Sequence, residues 1–236
     1  MALPRVLEPE VMDTEEEARD YDAMDHGEVN VRFCEDLLAS VARAPRGAAI
    51  AWRALDVGTG TALIPIELCR RDPGVEVDAI DLADHMLALA ARNVMRARLE
   101  GRIRVAKMDA KASPWAEATF DVVMSNSIVH HIPEPRAMLG EAWRLVKRGG
   151  TLFVRDLERP PSEAGVAELV AKHASVPAAP PEVRAMHERQ RGLFEASLRA
   201  ALTAEEVRTA VGPLGIEGDA VRTTSDRHWT LACVKP

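Results

Sequence analysis

The chain has 236 residues, of which 47% are hydrophobic and 28% charged, with a formal net charge of −7. That is enough apolar material for one α/β domain with additions, and no second domain is required. The acidic balance opposes the counterion release from which nucleic-acid binders gain most of their affinity. No run of about 18 apolar residues is present to span a bilayer, and Met1-Ala2-Leu3-Pro4-Arg5 lacks a signal-peptide apolar core, so a cytoplasmic protein without nucleic-acid or membrane partners is expected. Cys34, Cys69 and Cys233 lie far apart with no C-x-x-C pair, which suggests neither a disulfide framework nor a zinc knuckle.

Residues 1–45 read as a helical arm. An acidic stretch, Asp13 to Glu17, leads to Tyr21, the only tyrosine, and then to an amphipathic helix from about Asn30 with Val31, Cys34, Leu38 and Val41 on one side. This arm is expected to pack over a ligand pocket built by the residues that follow. His26 and Arg32 are weighed between ligand contacts and salt-bridged arm residues.

Residues 46–158 carry alternating short apolar runs and amphipathic helices, the pattern of a doubly wound parallel sheet. Leu55-Asp56-Val57-Gly58-Thr59-Gly60-Thr61-Ala62 is a strand turning sharply into a helix that spans about Thr61 to Arg71. Gly58 and Gly60 permit backbone angles and a ligand approach closed to other residues, and the helix start points unpaired N–H groups at that ligand. The second strand, Val75 to Asp81, ends in a carboxylate placed to accept both hydroxyls of a ribose. A dinucleotide fingerprint needs glycine at position 63, where the chain has Leu63. Asp56 sits badly beside a pyrophosphate and suits a cationic ligand. A cationic, adenosine-containing cofactor fits better than NAD.

With these residues in place, the chain resembles the class I S-adenosylmethionine-dependent methyltransferases, whose first motif reads acid-x-Gly-x-Gly-x-Gly. Here Ala62 replaces the third glycine. Ile80-Asp81-Leu82 with Met86-Leu87 resembles the ribose acid and adenine-side apolar residues. Lys107-Met108-Asp109-Ala110 resembles the segment whose Asp meets the adenine amino group. Phe120 to Ser127, followed by His130-His131-Ile132-Pro133, resembles the fourth strand and its loop, and Leu145 to Leu152 the turn into the fifth strand. The resemblance implies a Rossmann-like, seven-stranded sheet with an antiparallel last strand. It implies S-adenosylmethionine as cofactor and S-adenosylhomocysteine as product. The cofactor residues are then Tyr21, Asp56, Gly58, Thr59, Gly60, Asp81, Leu82, Met86, Asp109, Ala110, Ser125 and Asn126, with Tyr21 near the sulfonium or carboxylate end.

Residues 159–210 form an insertion of two helical runs, about Glu163 to Ala174 and Glu182 to Leu202, split by Val176-Pro177-Ala178-Ala179-Pro180-Pro181. At the carboxyl edge of a strand it is expected to shape the acceptor pocket. Thr203-Ala204-Glu205-Glu206 reads as a capped helix start. In residues 211–236, Gly215 to Arg222 and His228 to Val234 are by resemblance the sixth strand and the antiparallel seventh, and the Thr224–Arg227 turn should share the cofactor edge. Arg191, Arg227 and His228 would suit an anionic acceptor or a charged surface.

Methyl transfer from a sulfonium is an in-line displacement, so the protein must chiefly hold donor and acceptor in line. A base is required only for a protonated nucleophile, and His130, His131 and Asp156 are the candidates. No metal ligand set is expected, because adjacent histidines point apart and a third ligand is not evident. The reading is a methyltransferase for a small-molecule acceptor, monomeric or homodimeric. The alternatives are a non-catalytic cofactor-binding module and a nicotinamide-dependent oxidoreductase.

Overall fold

The computed structural model describes residues 3–11, 13–24, 27–44 and 51–236. Short apolar runs form the parallel strands β1 (Trp52–Val57), β2 (Val75–Asp81), β3 (Ile103–Lys107), β4 (Phe120–Asn126) and β5 (Val146–Leu157). They are joined by α3 (Leu63–Arg71), α4 (Asp84–Ala97) and α5 (Pro135–Leu145), while α1 (Glu15–Asp22) and α2 (Gly27–Val41) precede β1. After β5 come α6 (Glu163–His173), α7 (Pro181–Ala200), α8 (Ala204–Val211), β6 (Val221–Thr223) and β7 (His228–Val234). The sheet order is β3-β2-β1-β4-β5-β7-β6, with β7 antiparallel to both neighbours. This is the doubly wound sheet with a reversed last strand that the motifs imply. Its order reverses between β1 and β4, which opens a crevice at the strands' carboxyl ends.

Both faces of the sheet are covered, so β1 is buried along most of its length. One face packs on α5 and α8 through Met138, Leu139, Val207, Val211 and Trp229. The other packs on α2, α3 and α4 through Phe33, Leu37, Leu68 and Val94. The buried stripe of α2 is Phe33, Cys34, Leu37 and Val41, a rotation from the expected stripe that included Val31 and Leu38. Phe33 decides it by meeting the Phe153 ring edge-on at 5.1 Å. Thus α2 lies on the sheet face, and α1, capped reciprocally by Thr14 and Glu17, is the part of the arm that reaches the crevice.

The insertion helices match their expected spans within about two residues, and Thr203 and Glu206 form the capping box at α8. The sixth strand is shorter than expected. Gly215 takes φ 75° and Gly218–Ala220 forms a 3₁₀ turn, leaving only Val221–Thr223 to pair. Among the described residues, no helix is long and apolar enough to cross a membrane.

The chain before α1 runs as an extended strap, residues 3–11. Its Val6 N–H donates to the Arg199 carbonyl (3.0 Å) and its Arg5 Nε to the Ala200 carbonyl (2.7 Å). The Arg5 guanidinium also donates to the carbonyls of His130 and Ile132, each at 3.0 Å. One side chain therefore fastens the loop after β4 to the end of α7.

Candidate active site

The glycine loop is held in place by the acid of the neighbouring strand. Gly58 and Thr59 N–H groups donate to the Ile80 carbonyl, each at 2.9 Å, and Gly60 N–H donates to Asp81 Oδ2 at 2.8 Å. Asp81 Oδ1 accepts from Ala83 N–H at 3.0 Å. Each carboxylate oxygen keeps accepting capacity for a ligand hydroxyl. Gly58 has φ 72°, and a Cβ there would lie 2.2 Å from Ile128 Cγ2. Ala62, where the motif carries glycine, takes φ 62° and is fully buried among the residues between α2, α3 and α4.

Two cavities meet at this loop and share Tyr21, Gly58 and Asn126. The larger brings together Gly60, Asp81, Leu82, Met86, Asp109, Ala110 and His131, together with Glu10 and Val11 of the strap. The other holds Asp56, Thr59 and Thr61. Of the predicted cofactor residues, only Ser125 lies outside both, because its buried hydroxyl is spent on the Val57 carbonyl at 2.8 Å. Burial pushes the Asp56 carboxyl up to about 7, and the Asp81 charge adds to the shift. Tyr21 rises to about 12, first by burial and then by the charges of Asp81, Asp56 and Asp22, so it stays a neutral phenol. At Asp109, contacts from the Lys111 backbone N–H and ammonium outweigh burial and lower the carboxyl.

The histidine pair lies in a 3₁₀ turn over Val129–His131 that follows Ser127 at φ 58°. His130 is buried, with Nδ1 2.6 Å from Asp156 Oδ1 and its backbone N–H donating to Asp156 Oδ2 at 3.2 Å. Burial alone would lower the imidazole, but the Asp156 charge and hydrogen bond raise it, and the same pairing lowers Asp156 against its own burial. His131 lines the cavity. Burial and the neighbouring His130 charge bring it down to about 4. The two rings do not point apart: their centroids are 4.1 Å apart. Glu8 of the strap reaches both, with Oε2 3.9 Å from His130 Nε2 and 3.3 Å from His131 Nδ1.

Glu8 and Arg5 were not foreseen, since neither belongs to a periodic run or a motif. The insertion, expected to shape the acceptor pocket, packs behind the two cavities. Among the described residues, none of 159–210 lines either cavity; α7 instead braces the walls. Arg189 Nε donates to Asp20 Oδ2 (2.8 Å), Gln190 to the Asp20 carbonyl (2.9 Å), and Ser197 Oγ to Glu8 (3.2 Å). Arg32, Arg227 and His228 line a separate groove of about 1230 Å³ beside α2 and β7. The Thr224–Arg227 turn thus shares the sheet's carboxyl edge with the cofactor loop without entering its pocket. Arg191 lies in a further surface depression beside α6, and His26 falls outside the described residues.

The Methyltransferase domain family model matches residues 55–154, from the first strand through the fifth. That stretch carries the methyltransferase domain that the motifs imply. A demethylmenaquinone methyltransferase of Thermus thermophilus is 37% identical over 118 residues, covering 50% of this chain and 52% of that protein. A ubiquinone biosynthesis O-methyltransferase of Xanthomonas oryzae pv. oryzae is 31% identical over 121 residues, covering 51% and 49%. The chain spans about half the length of these curated relatives. A solved SAM-dependent methyltransferase from Aquifex aeolicus superposes with a TM-score of 0.60 at 17% identity, over 93% of this chain and 97% of that one, which supports the fold.

The family's cofactor is S-adenosylmethionine, and the loop's own chemistry fits it. Thr61 Oγ1 and Asn126 Oδ1 are buried without protein partners, both in residues lining the smaller cavity. Such orphaned groups call for a polar ligand, and the amino-acid end of the cofactor supplies one. Asp81 would take the ribose, and Asp56, Thr59 and Asn126 the cationic end.

Proposed function

We propose that this methyltransferase transfers the cofactor's methyl group to a small acceptor bound between the glycine loop and His131. The observation that carries this reading is the shared chamber: Gly58, Gly60 and Asp81 line the same cavity as Ile128, His131 and Ile132. Its apolar lining, Val11, Met86, Met108, Ile128 and Ile132, suits a small, mainly apolar acceptor with one polar group. The relatives' names make a quinone-type or phenolic ring the first class to test.

The bound cofactor supplies an activated methyl group, and this chain's residues supply placement. Well-oriented intramolecular reactions gain about 7–11 kcal/mol from positioning. With a value of about 4, His131 is a poor general base near neutral pH. It serves as a neutral hydrogen-bonding wall for the acceptor. His130 is the stronger base but stands buried, engaged with Asp156, and acts as the brace for the loop.

The test is calorimetric titration with S-adenosylmethionine, S-adenosylhomocysteine and NAD in parallel, followed by transfer of labelled methyl to a panel of phenols and catechols. Micromolar binding of both sulfur compounds with label transfer supports the reading. Binding of NAD alone overturns it. Cofactor binding without transfer to any acceptor favours a non-catalytic module.

A further inference from the structure

We propose that Glu8, His130 and His131 form a binding site for a divalent transition-metal ion at the acceptor end of the chamber. One ligand atom from each lies within 4.8 Å of the other two. A tetrahedral ion with bonds of ~2.1 Å separates its ligand atoms by about 3.4 Å. The contacts of Glu8 Oε2 with His131 Nδ1 (3.3 Å) and His130 Nε2 (3.9 Å) straddle that spacing. His131 Nδ1 is buried without a hydrogen-bond partner, and with the ring proton on Nε2 its lone pair is open to an ion.

Two features show a built site rather than a chance cluster. Asp156 binds Nδ1 of His130 at 2.6 Å, which sets the tautomer that leaves Nε2 free to ligate. This is the carboxylate–histidine–metal arrangement that orients imidazole ligands. Glu8 is held in turn by Ser197 Oγ at 3.2 Å, and its strap by Arg5 and Val6. Two imidazoles and a carboxylate favour zinc and its neighbours over magnesium or calcium.

Three protein ligands leave a position open beside His131, which lines the chamber. The role of that position rests on the methyltransferase reading. An acceptor hydroxyl bound there loses its proton to solvent as the oxygen joins the ion, because a bound divalent ion lowers the pKa of an attached O–H. The ion thereby promotes deprotonation at the acceptor oxygen.

The experiment uses the full chain without an affinity tag, stripped with a chelator and titrated with Co²⁺ and with Zn²⁺, alongside S-adenosylhomocysteine calorimetry. One Co²⁺ per chain with visible absorption bands, displaced by Zn²⁺, is the expected result. Glu8→Gln should weaken uptake at least tenfold while S-adenosylhomocysteine binding, reporting a folded pocket, persists. Catechol, added as the oxygen probe, should shift the cobalt bands. Absence of stoichiometric uptake in a chain that binds S-adenosylhomocysteine overturns the metal site, as does uptake unaffected by Glu8→Gln. Unshifted bands overturn the acceptor role. Metal uptake without S-adenosylhomocysteine binding overturns the methyltransferase reading and leaves the metal site standing.

Discussion

Asp81 Oδ2 accepts the Gly60 N–H at 2.8 Å, so the acid at the end of β2 both shapes the glycine loop and faces the ligand. The loop and the ribose site are therefore one device. Asp81→Ala should weaken S-adenosylhomocysteine binding by about 1.5–3 kcal/mol, the worth of hydrogen bonds to a charged group. That is roughly a ten- to hundredfold change in Kd by calorimetry. Unchanged affinity would remove Asp81 from the cofactor site.

Gly58→Ala carries two penalties of different kind. The left-handed backbone at φ 72° costs a side chain about 1–2 kcal/mol, and the new Cβ would collide with Ile128 Cγ2 at 2.2 Å. We expect loss of detectable cofactor binding. Adding Ile128→Ala should restore part of it, since the second change removes the collision and leaves the strain. No recovery in the double variant would show that the backbone conformation alone decides.

Asp56, buried and raised to about 7, gives the free chain a distinctive pH dependence. The folded state holds this proton more tightly than the unfolded chain, whose Asp titrates near 3.9. The contribution of neutral Asp56 to stability is fully present below about 4 and is lost as the pH rises through about 7. Comparing wild type with Asp56→Asn by urea unfolding, the variant should lose least, or gain, at pH 8. A cationic ligand favours the carboxylate, so S-adenosylmethionine affinity should rise across pH 6–8 more steeply than that of neutral S-adenosylhomocysteine. Parallel slopes for the two compounds would separate Asp56 from the sulfonium.

The buried pairing of Asp156 with His130 predicts a stability effect distinct from catalysis. Asp156→Asn, measured in chelator, should cost about 1.5–3 kcal/mol by urea unfolding, because a charge-assisted buried contact is lost. A change below 0.5 kcal/mol, the ordinary size for a surface position, would argue that the loop does not depend on it.

His131→Ala separates wall from scaffold. We expect methyl transfer to fall while S-adenosylhomocysteine affinity stays within twofold, because His131 is not among the residues lining the smaller cavity with Asp56, Thr59 and Thr61. Equal losses in both would mean that the substitution had collapsed the pocket.

The sequence by itself determined the glycine loop, the Asp81 partner, the alternation of strands and helices and the α8 cap, because each is encoded within one turn or one strand-turn-helix unit. Residue spacing is then a direct record of geometry. It was weaker where packing chose among near-equivalent faces, as when Phe153 drew Phe33 inward and rotated the buried stripe of α2. At Ser125, whose motif position suggests the cofactor, only the fold shows that the hydroxyl donates to the Val57 carbonyl. Tertiary structure alone decided that Glu8 meets His130 and His131, that Asp156 orients His130, and that Arg5 ties the histidine loop to α7. These partners come from an aperiodic strap, a loop, a strand and a helix end. No local pattern links such segments, and only the closing of the sheet and the burial of its helices bring them within bonding distance.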